Sequence, residues 1–236
     1  MSASIQPSAS ALAGLSSPGE PRAWSSLPQV TSSKLLVVGI GGTTRAGSST
    51  ERALDLALRD CAGHGLSTLR LGGEFLAALP HYTPGVPLTD VQQGLIGIVR
   101  RADAVILASP SYHGGLSGLL KNALDTLEEL SADERPYLDG RAVGCIVTAY
   151  GWQAGGTVLT GLRASAHALR GWPTPYGAVV NTLETPLRDP EVPASVATAL
   201  GRVSEQVSEF ARHFHAGRSQ ARYEFDADAR RVAVGA

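Results

Sequence analysis

The feature that most constrains this chain is a short apolar run, Leu35 to Ile40, that breaks into a loop of glycines and hydroxyls, Gly41-Gly42-Thr43-Thr44-Arg45-Ala46-Gly47-Ser48-Ser49-Thr50. A buried run of this length ending in glycine is expected for the first strand of a parallel sheet, and Glu51 to Asp60 has the apolar spacing of a helix. The loop then lies where backbone N–H groups and the positive end of a helix dipole converge, an arrangement suited to phosphate. Thr43, Thr44, Ser48, Ser49 and Thr50 add hydroxyl donors, and Arg45 adds a planar fork that matches phosphate oxygens.

Three phosphate loops compete for this stretch, beside the plainer reading of an ordinary Gly/Ser turn. Gly42 to Ser49 has the glycine spacing of the Walker loop, but Ser48 stands where the lysine is required, so the cation that reaches the outer phosphates of a nucleoside triphosphate is missing. Gly39, Gly41 and Thr44 supply only two of the three glycines of the dinucleotide fingerprint. A loop crowded with hydroxyls suits a terminal monophosphate, whose oxygens need several donors.

The rest of the chain repeats the pattern of apolar run, loop and helix. Leu66 to Leu71 reads as a second strand, Ala104 to Ala108 as a third, Arg141 to Thr148 as a fourth and Ala178 to Val180 as a fifth. Helices are expected over Val91 to Arg101, Leu116 to Leu130, Thr157 to Arg170 and Ala194 to Ala216, with an irregular Gly/Pro-rich connection around His81 to Pro87. Strands alternating with helices imply a parallel sheet covered on both faces, and five strands give an α/β, flavodoxin-like architecture. Residues 1–33, rich in Ser, Ala and Pro, read as a disordered extension, residues 34–216 as the domain, and residues 217–236 as a polar tail.

Composition narrows the function classes. A formal net charge of −1 offers no field for nucleic acid or an anionic membrane. Cys61 and Cys145 are the only cysteines, both in apolar or helical context, as expected of reduced structural thiols in a cytoplasmic protein. No stretch is long enough to span a membrane. His213 and His215 sit two apart at a helix end and diverge, so no metal site is expected.

In doubly wound sheets, ligands collect beyond the carboxyl ends of the strands where strand order reverses. The loops after strands one, three and four meet there. The second contains Ser109-Pro110-Ser111-Tyr112-His113-Gly114-Gly115, and the third Tyr150-Gly151-Trp152-Gln153. A flat heteroaromatic ring tethered to a monophosphate uses all three, a description that fits FMN. Oriented backbone dipoles around the ring would stabilise the charge it gains on reduction.

The stretches Gly42 to Thr50 and Ser109 to Asp125 resemble the NAD(P)H-dependent FMN reductase family of flavodoxin-like proteins. The family's first loop reads Gly-Ser-x-Arg-x-x-Ser-x-Asn/Thr. In the second motif Pro110, Tyr112, Gly118, Lys121 and Asn122 all match in spacing. The resemblance implies that Thr43, Arg45, Ser48 and Thr50 hold the FMN phosphate, with Gly42 and Ser49 in the same loop. It implies that Pro110, Ser111, Tyr112, His113 and Gly114 border the isoalloxazine ring, and carries over Thr148, Tyr150 and Gly151 from the third loop. Lys121 and Asn122 are read as serving the helix start.

The activity so implied is hydride transfer from NAD(P)H to FMN, then delivery to a monooxygenase partner as reduced flavin, or to a quinone, azo dye or metal ion. The cofactor carries that chemistry, so no catalytic side chain is required. Because histidine is the side chain that ordinarily changes charge near neutrality, His113 is the one candidate proton donor, against the plainer reading of a polar loop residue. A dimer or tetramer is implied, with His81 to Val86 as the candidate interface loop. The rivals are a non-enzymatic flavodoxin, usually acidic enough to steer its docking, and a dinucleotide-binding Rossmann domain.

Overall fold

The computed structural model describes residues 34–187 and 191–234, with side chains to residue 217. The expected N-terminal extension, residues 1–33, lies outside the described residues. Three strands form the middle of the sheet: β1 (Leu36–Gly41), β3 (Ala104–Pro110) and β4 (Ala142–Ala149), every residue of which is buried. Such continuously apolar runs are what a strand covered on both faces requires. β2 (Ser67–Leu71) is mostly half-exposed, as suits an edge. All pairings are parallel, in the order β2-β1-β3-β4-β5.

The fifth position is split. β5 (Trp172–Pro173) pairs with the start of β4, and β6 (Ala178–Asn181) pairs with its end. Pro173 and Pro175 flank the break, where the missing N–H groups interrupt a ladder. The doubly wound sheet therefore stands, with six strand segments where five strands were expected.

Side chains alternate between two cores. Val38, Ile40, Val105, Leu107, Val143 and Val147 face α3 (Asp90–Arg101), α4 (Gly118–Thr126) and α5 (Trp152–Ala168). Val37, Ile106 and Ile146 face α1 (Ser49–Gly63) and α6 (Ala194–Val234). At about 25 cal/mol per Å² of apolar surface removed from water, these two layers dominate the stability.

Helix ends differ from the sequence expectation for identifiable reasons. The helix expected over Leu116 to Leu130 starts after the Ser117 N-cap, whose Oγ accepts the Leu120 N–H at 3.2 Å, and tightens into a 3-10 turn over Leu127–Leu130. α5 begins at Trp152 rather than Thr157 because Gly155 is a packing glycine. A Cβ there would lie 2.3 Å from Val179 Cγ1, so the helix can rest on β6 only without a side chain. α2 (Gly73–Ala77) precedes the Gly/Pro-rich connection, at a place where no helix is expected from the sequence. α6 passes Ala216 and continues to Val234, a stretch with no glycine or proline after Gly217 to break it.

Candidate active site

The loop after β1 is built largely from its own hydrogen bonds. Ser48 caps α1, its Oγ accepting the Glu51 N–H at 3.3 Å, and Thr43 Oγ1 accepts the Arg45 N–H at 3.2 Å. Glu51, only 7% exposed, folds back beneath the loop: Oε2 accepts the Gly47 N–H at 2.9 Å and Oε1 the Gly73 N–H at 3.0 Å. The backbones meet so closely that a Cβ on Gly73 would fall 1.7 Å from the Thr43 carbonyl oxygen, and one on Gly42 2.8 Å from Glu51 Cγ. Arg52 ties the loop from another side, donating from Nε to the Gly47 carbonyl at 2.9 Å and from Nη1 to that of Leu187 at 3.2 Å.

What this leaves open is suited to an anion. The first-turn N–H groups of Ser49 and Thr50 have no protein acceptor among the described residues, and neither does the exposed Arg45 guanidinium. Ser48 retains its own hydroxyl proton to donate, at the positive end of a 15-residue helix. Thr50 is placed differently from the expectation: it is 2% exposed, and its hydroxyl pairs at 2.6 Å with that of Thr148, the last but one residue of β4. It joins two loops instead of pointing out of one.

The second and third loops are joined to this cradle and to each other. Pro110 pairs with Thr148 in register, and the Ser111 N–H donates to the Thr148 carbonyl at 2.8 Å. Ser111 Oγ also donates to the Ala154 carbonyl at 3.4 Å, in the first turn of α5. Tyr112 and Gly115 exchange backbone bonds of 3.2 and 2.9 Å around His113 (φ 51°) and Gly114 (φ 77°). Two consecutive left-handed residues are the signature of a tight hairpin turn, and holding the non-glycine His113 there costs roughly 1 kcal/mol or more. Tyr112 and Tyr150 are exposed, and Gly151 caps α5 with no side chain of its own.

A cavity of about 470 Å³ lies against the first loop, lined by Thr43, Thr44 and Gly47 together with Glu51, Arg52, Asp55, Arg70 and Glu74. Its three carboxylates, Glu51, Asp55 and Glu74, outnumber its two arginines, Arg52 and Arg70, which makes it a poor place for phosphate, and none of the second- or third-loop residues lines it. The surface at the ends of β3 and β4 is instead open, with Tyr112, Tyr150 and Trp152 exposed on it.

The sequence matches a family described as NADPH-dependent FMN reductase over residues 35–184. The chain belongs to the NADPH-dependent FMN reductase family. It is 35% identical over 68 residues to an NADPH azoreductase of Bacillus sp. (strain OY1-2), a match covering 29% of this chain and 35% of that protein. The chain thus spans about a third of that relative's length. The fold is similar to an oxidoreductase of Corynebacterium diphtheriae (TM-score 0.62, 18% identity, 77% of this chain and 99% of that one). It is similar also to a flavoenzyme NAD(P)H:(acceptor) oxidoreductase of Paracoccus denitrificans (TM-score 0.62, 19% identity, 76% and 98%).

Within this reductase fold, three residues that sequence reasoning passed over build the site. Glu51 and Gly73 form the floor of the cradle, and Glu184 receives the Trp152 indole. Glu51 was signalled by Ser48-x-x-Glu, the spacing of a capping box, although its carboxylate reaches Gly47 rather than the cap itself. Gly73 and Glu184 carry no local signal. Asn122 secures the connection before α3, accepting the Tyr82 N–H at 2.9 Å and donating to the Pro80 carbonyl at 3.0 Å. Lys121 pairs with Asp125 on the surface of α4. Both cysteines are free and buried, and burial pushes the Cys145 thiol up to about 12, far from a reactive thiolate. Among the described residues no helix is long and apolar enough to cross a membrane, and no cluster of His, Cys, Asp and Glu is arranged to hold a metal.

Proposed function

We propose that the protein is an FMN-dependent oxidoreductase that oxidises NAD(P)H and passes the electrons to a small acceptor. The observation that carries this reading is the junction of the loops. A cradle whose amides and Arg45 guanidinium have no partner among the described residues is fastened, through Thr50–Thr148 and Ser111–Thr148, to a shelf of exposed aromatic side chains. A phosphate and a planar ring on one molecule span that junction. Family membership supports the same cofactor.

In this reading the Ser49 and Thr50 amides, the Ser48 hydroxyl and Arg45 hold the phosphate, while Thr43, expected among the phosphate ligands, shapes the loop instead because its hydroxyl donates to the Arg45 carbonyl at 3.2 Å. Gly42 lets the backbone approach. Pro110 to Gly114, Tyr150 and Gly151 border the ring, with Thr148 supporting them from beneath. FMN, when bound, supplies hydride acceptance and donation, so the protein's task is to orient the ring and shed water from it. No side chain is needed as nucleophile. His113 lies on the exposed tip of the hairpin, where a proton would come as readily from water. The reduced cofactor serves a quinone, azo or metal acceptor, or feeds a monooxygenase partner. The functional unit is a cytoplasmic homodimer or homotetramer, with the exposed Val86 loop as a contact.

The test is direct. Purified protein with FMN is mixed with NADH or NADPH and the loss of nicotinamide absorbance is followed in air, with a quinone and with an azo dye. Oxidation with at least one donor is expected. None with either donor, despite tight FMN binding, would favour the non-enzymatic flavodoxin reading.

A further inference from the structure

Six large apolar side chains are exposed among the described residues, and four of them, Tyr112, Tyr150, Trp152 and Leu183, come from the carboxyl ends of β3, β4 and β6. Apolar exposure concentrated at one edge of a sheet marks a place where something binds. Trp152 is the only one of these held by its polar atom. It is 55% exposed, yet its Nε1 donates to both carboxylate oxygens of Glu184, at 2.9 and 3.0 Å.

Glu184 is itself fixed. Asn181, at the end of β6 and 3% exposed, donates from Nδ2 to Glu184 Oε1 at 2.8 Å and accepts the Leu183 N–H at 3.1 Å. The next residue, Thr182, donates its N–H to the Ala149 carbonyl at 2.8 Å, which fastens the turn to the end of β4. The indole therefore has a set orientation while much of its surface faces water. A packing tryptophan would be covered, and a loose surface tryptophan would not be pinned by a buried asparagine. Pinning removes the ordering cost that stacking on a free side chain would carry. The partners of Glu184 among the described residues, an indole and an amide, are both neutral and do not cancel its charge.

We propose that Trp152 is the wall against which a planar aromatic acceptor stacks, that Glu184 positions this wall, and that the Glu184 charge favours neutral or cationic acceptors over anionic ones. The proposal rests on the reductase reading for the identity of the ligand as an acceptor.

The test compares wild type with Trp152→Ala, Trp152→Phe, Glu184→Ala, Glu184→Gln and the distant control Trp172→Ala, all loaded with FMN. Equilibrium binding of a neutral naphthoquinone and of a naphthoquinone sulfonate is measured by calorimetry, and KM and kcat are measured with each. Trp152→Ala should weaken binding of the neutral quinone and raise its KM by about tenfold, with a smaller change in kcat, while Trp152→Phe keeps most of the affinity. Glu184→Ala should follow Trp152→Ala. Glu184→Gln, which still accepts from the indole, should bind the neutral quinone like wild type and gain several-fold for the sulfonate. Trp172→Ala should change neither. Neutral-quinone binding by Trp152→Ala within twofold of wild type overturns the wall, and equal shifts for both quinones in Glu184→Gln overturn the charge selection. Because binding is read without turnover, a protein that fails to oxidise NAD(P)H sinks the reductase reading and still decides the role of Trp152.

Discussion

Around the β1–α1 turn most polar side chains are already used within the protein, whereas at the ends of β3 and β4 the large side chains face solvent. Thr43, Ser48, Thr50 and Glu51 hold the turn in shape, and what remains for a ligand is chiefly backbone N–H and Arg45. On the other side Tyr112, Tyr150 and Trp152 are each more than half exposed and contribute surface, not scaffolding. In the proposed reading the turn holds a phosphate, which is the same in every flavin mononucleotide, so this region can be rigid. An acceptor site built from exposed side chains can change with little effect on the fold, and substitutions in the two regions should fail in different ways.

The largest effect is expected from Glu51→Ala. It leaves the Gly47 and Gly73 amides without their acceptor. Gly47 is exposed and water replaces the carboxylate there, but Gly73 is buried, so the loss in stability should be about 2–3 kcal/mol. Urea unfolding should show a lower midpoint together with weaker FMN retention. A wild-type midpoint would mean that the cradle does not depend on its carboxylate floor, and the contrast between the regions would collapse.

Arg45→Ala sharpens the same contrast, because Arg45 is exposed and has no side-chain partner among the described residues. Stability should stay within about 0.5 kcal/mol, as for an ordinary surface substitution, while FMN affinity falls by about tenfold. Fluorescence titration with FMN reads the affinity. An unchanged dissociation constant would remove Arg45 from the phosphate site.

The two regions are joined by the buried Thr50–Thr148 hydroxyl pair. Replacing one threonine by valine strands the other hydroxyl and should cost about 1 kcal/mol, whereas the double replacement leaves no orphan and should cost less than the sum. Additive losses in urea unfolding would show that the loops are held together by other contacts.

How much of this was legible depended on whether the signal was local. The three central strands were legible because each is a continuous apolar run, and their parallel order followed from the helices between them. The hydroxyl of Thr50 counts among the loop's phosphate donors in the sequence, yet its pairing with Thr148, 98 residues away, is set by the sheet. Gly155 looked like a loop residue and is instead a contact between α5 and β6, a case of packing overriding helix propensity. Gly73 and Glu184 are meaningful only through Thr43 and Trp152, which are distant in sequence.

The smallest expected effect compares the buried thiols behind the two regions. Cys61 lies in the last turn of α1, the helix that starts at the cradle, and Cys145 in the middle of β4, the strand that leads to the shelf; neither is accessible to solvent. Burial raises both, but the Ser208 and Ser204 hydroxyls near Cys61 favour its thiolate and offset part of the rise. Cys145, raised to about 12 from 9.0, has only the Arg163 charge acting in that direction. A raised folded value means that stability is fully present below the unfolded value and is lost as pH climbs above it, because the unfolded chain then releases a proton that the folded chain retains. At pH 9.5 Cys145 should therefore reduce stability by about 1 kcal/mol relative to neutral pH. Comparing urea midpoints at pH 7.5 and 9.5, Cys145→Ala should lose more of the alkaline decline than Cys61→Ala, although both variants start lower because each leaves a small cavity. If Cys61→Ala removes the larger share, the serine hydroxyls do not stabilise the Cys61 thiolate, and the difference drawn here between the helix side and the strand side of the core fails.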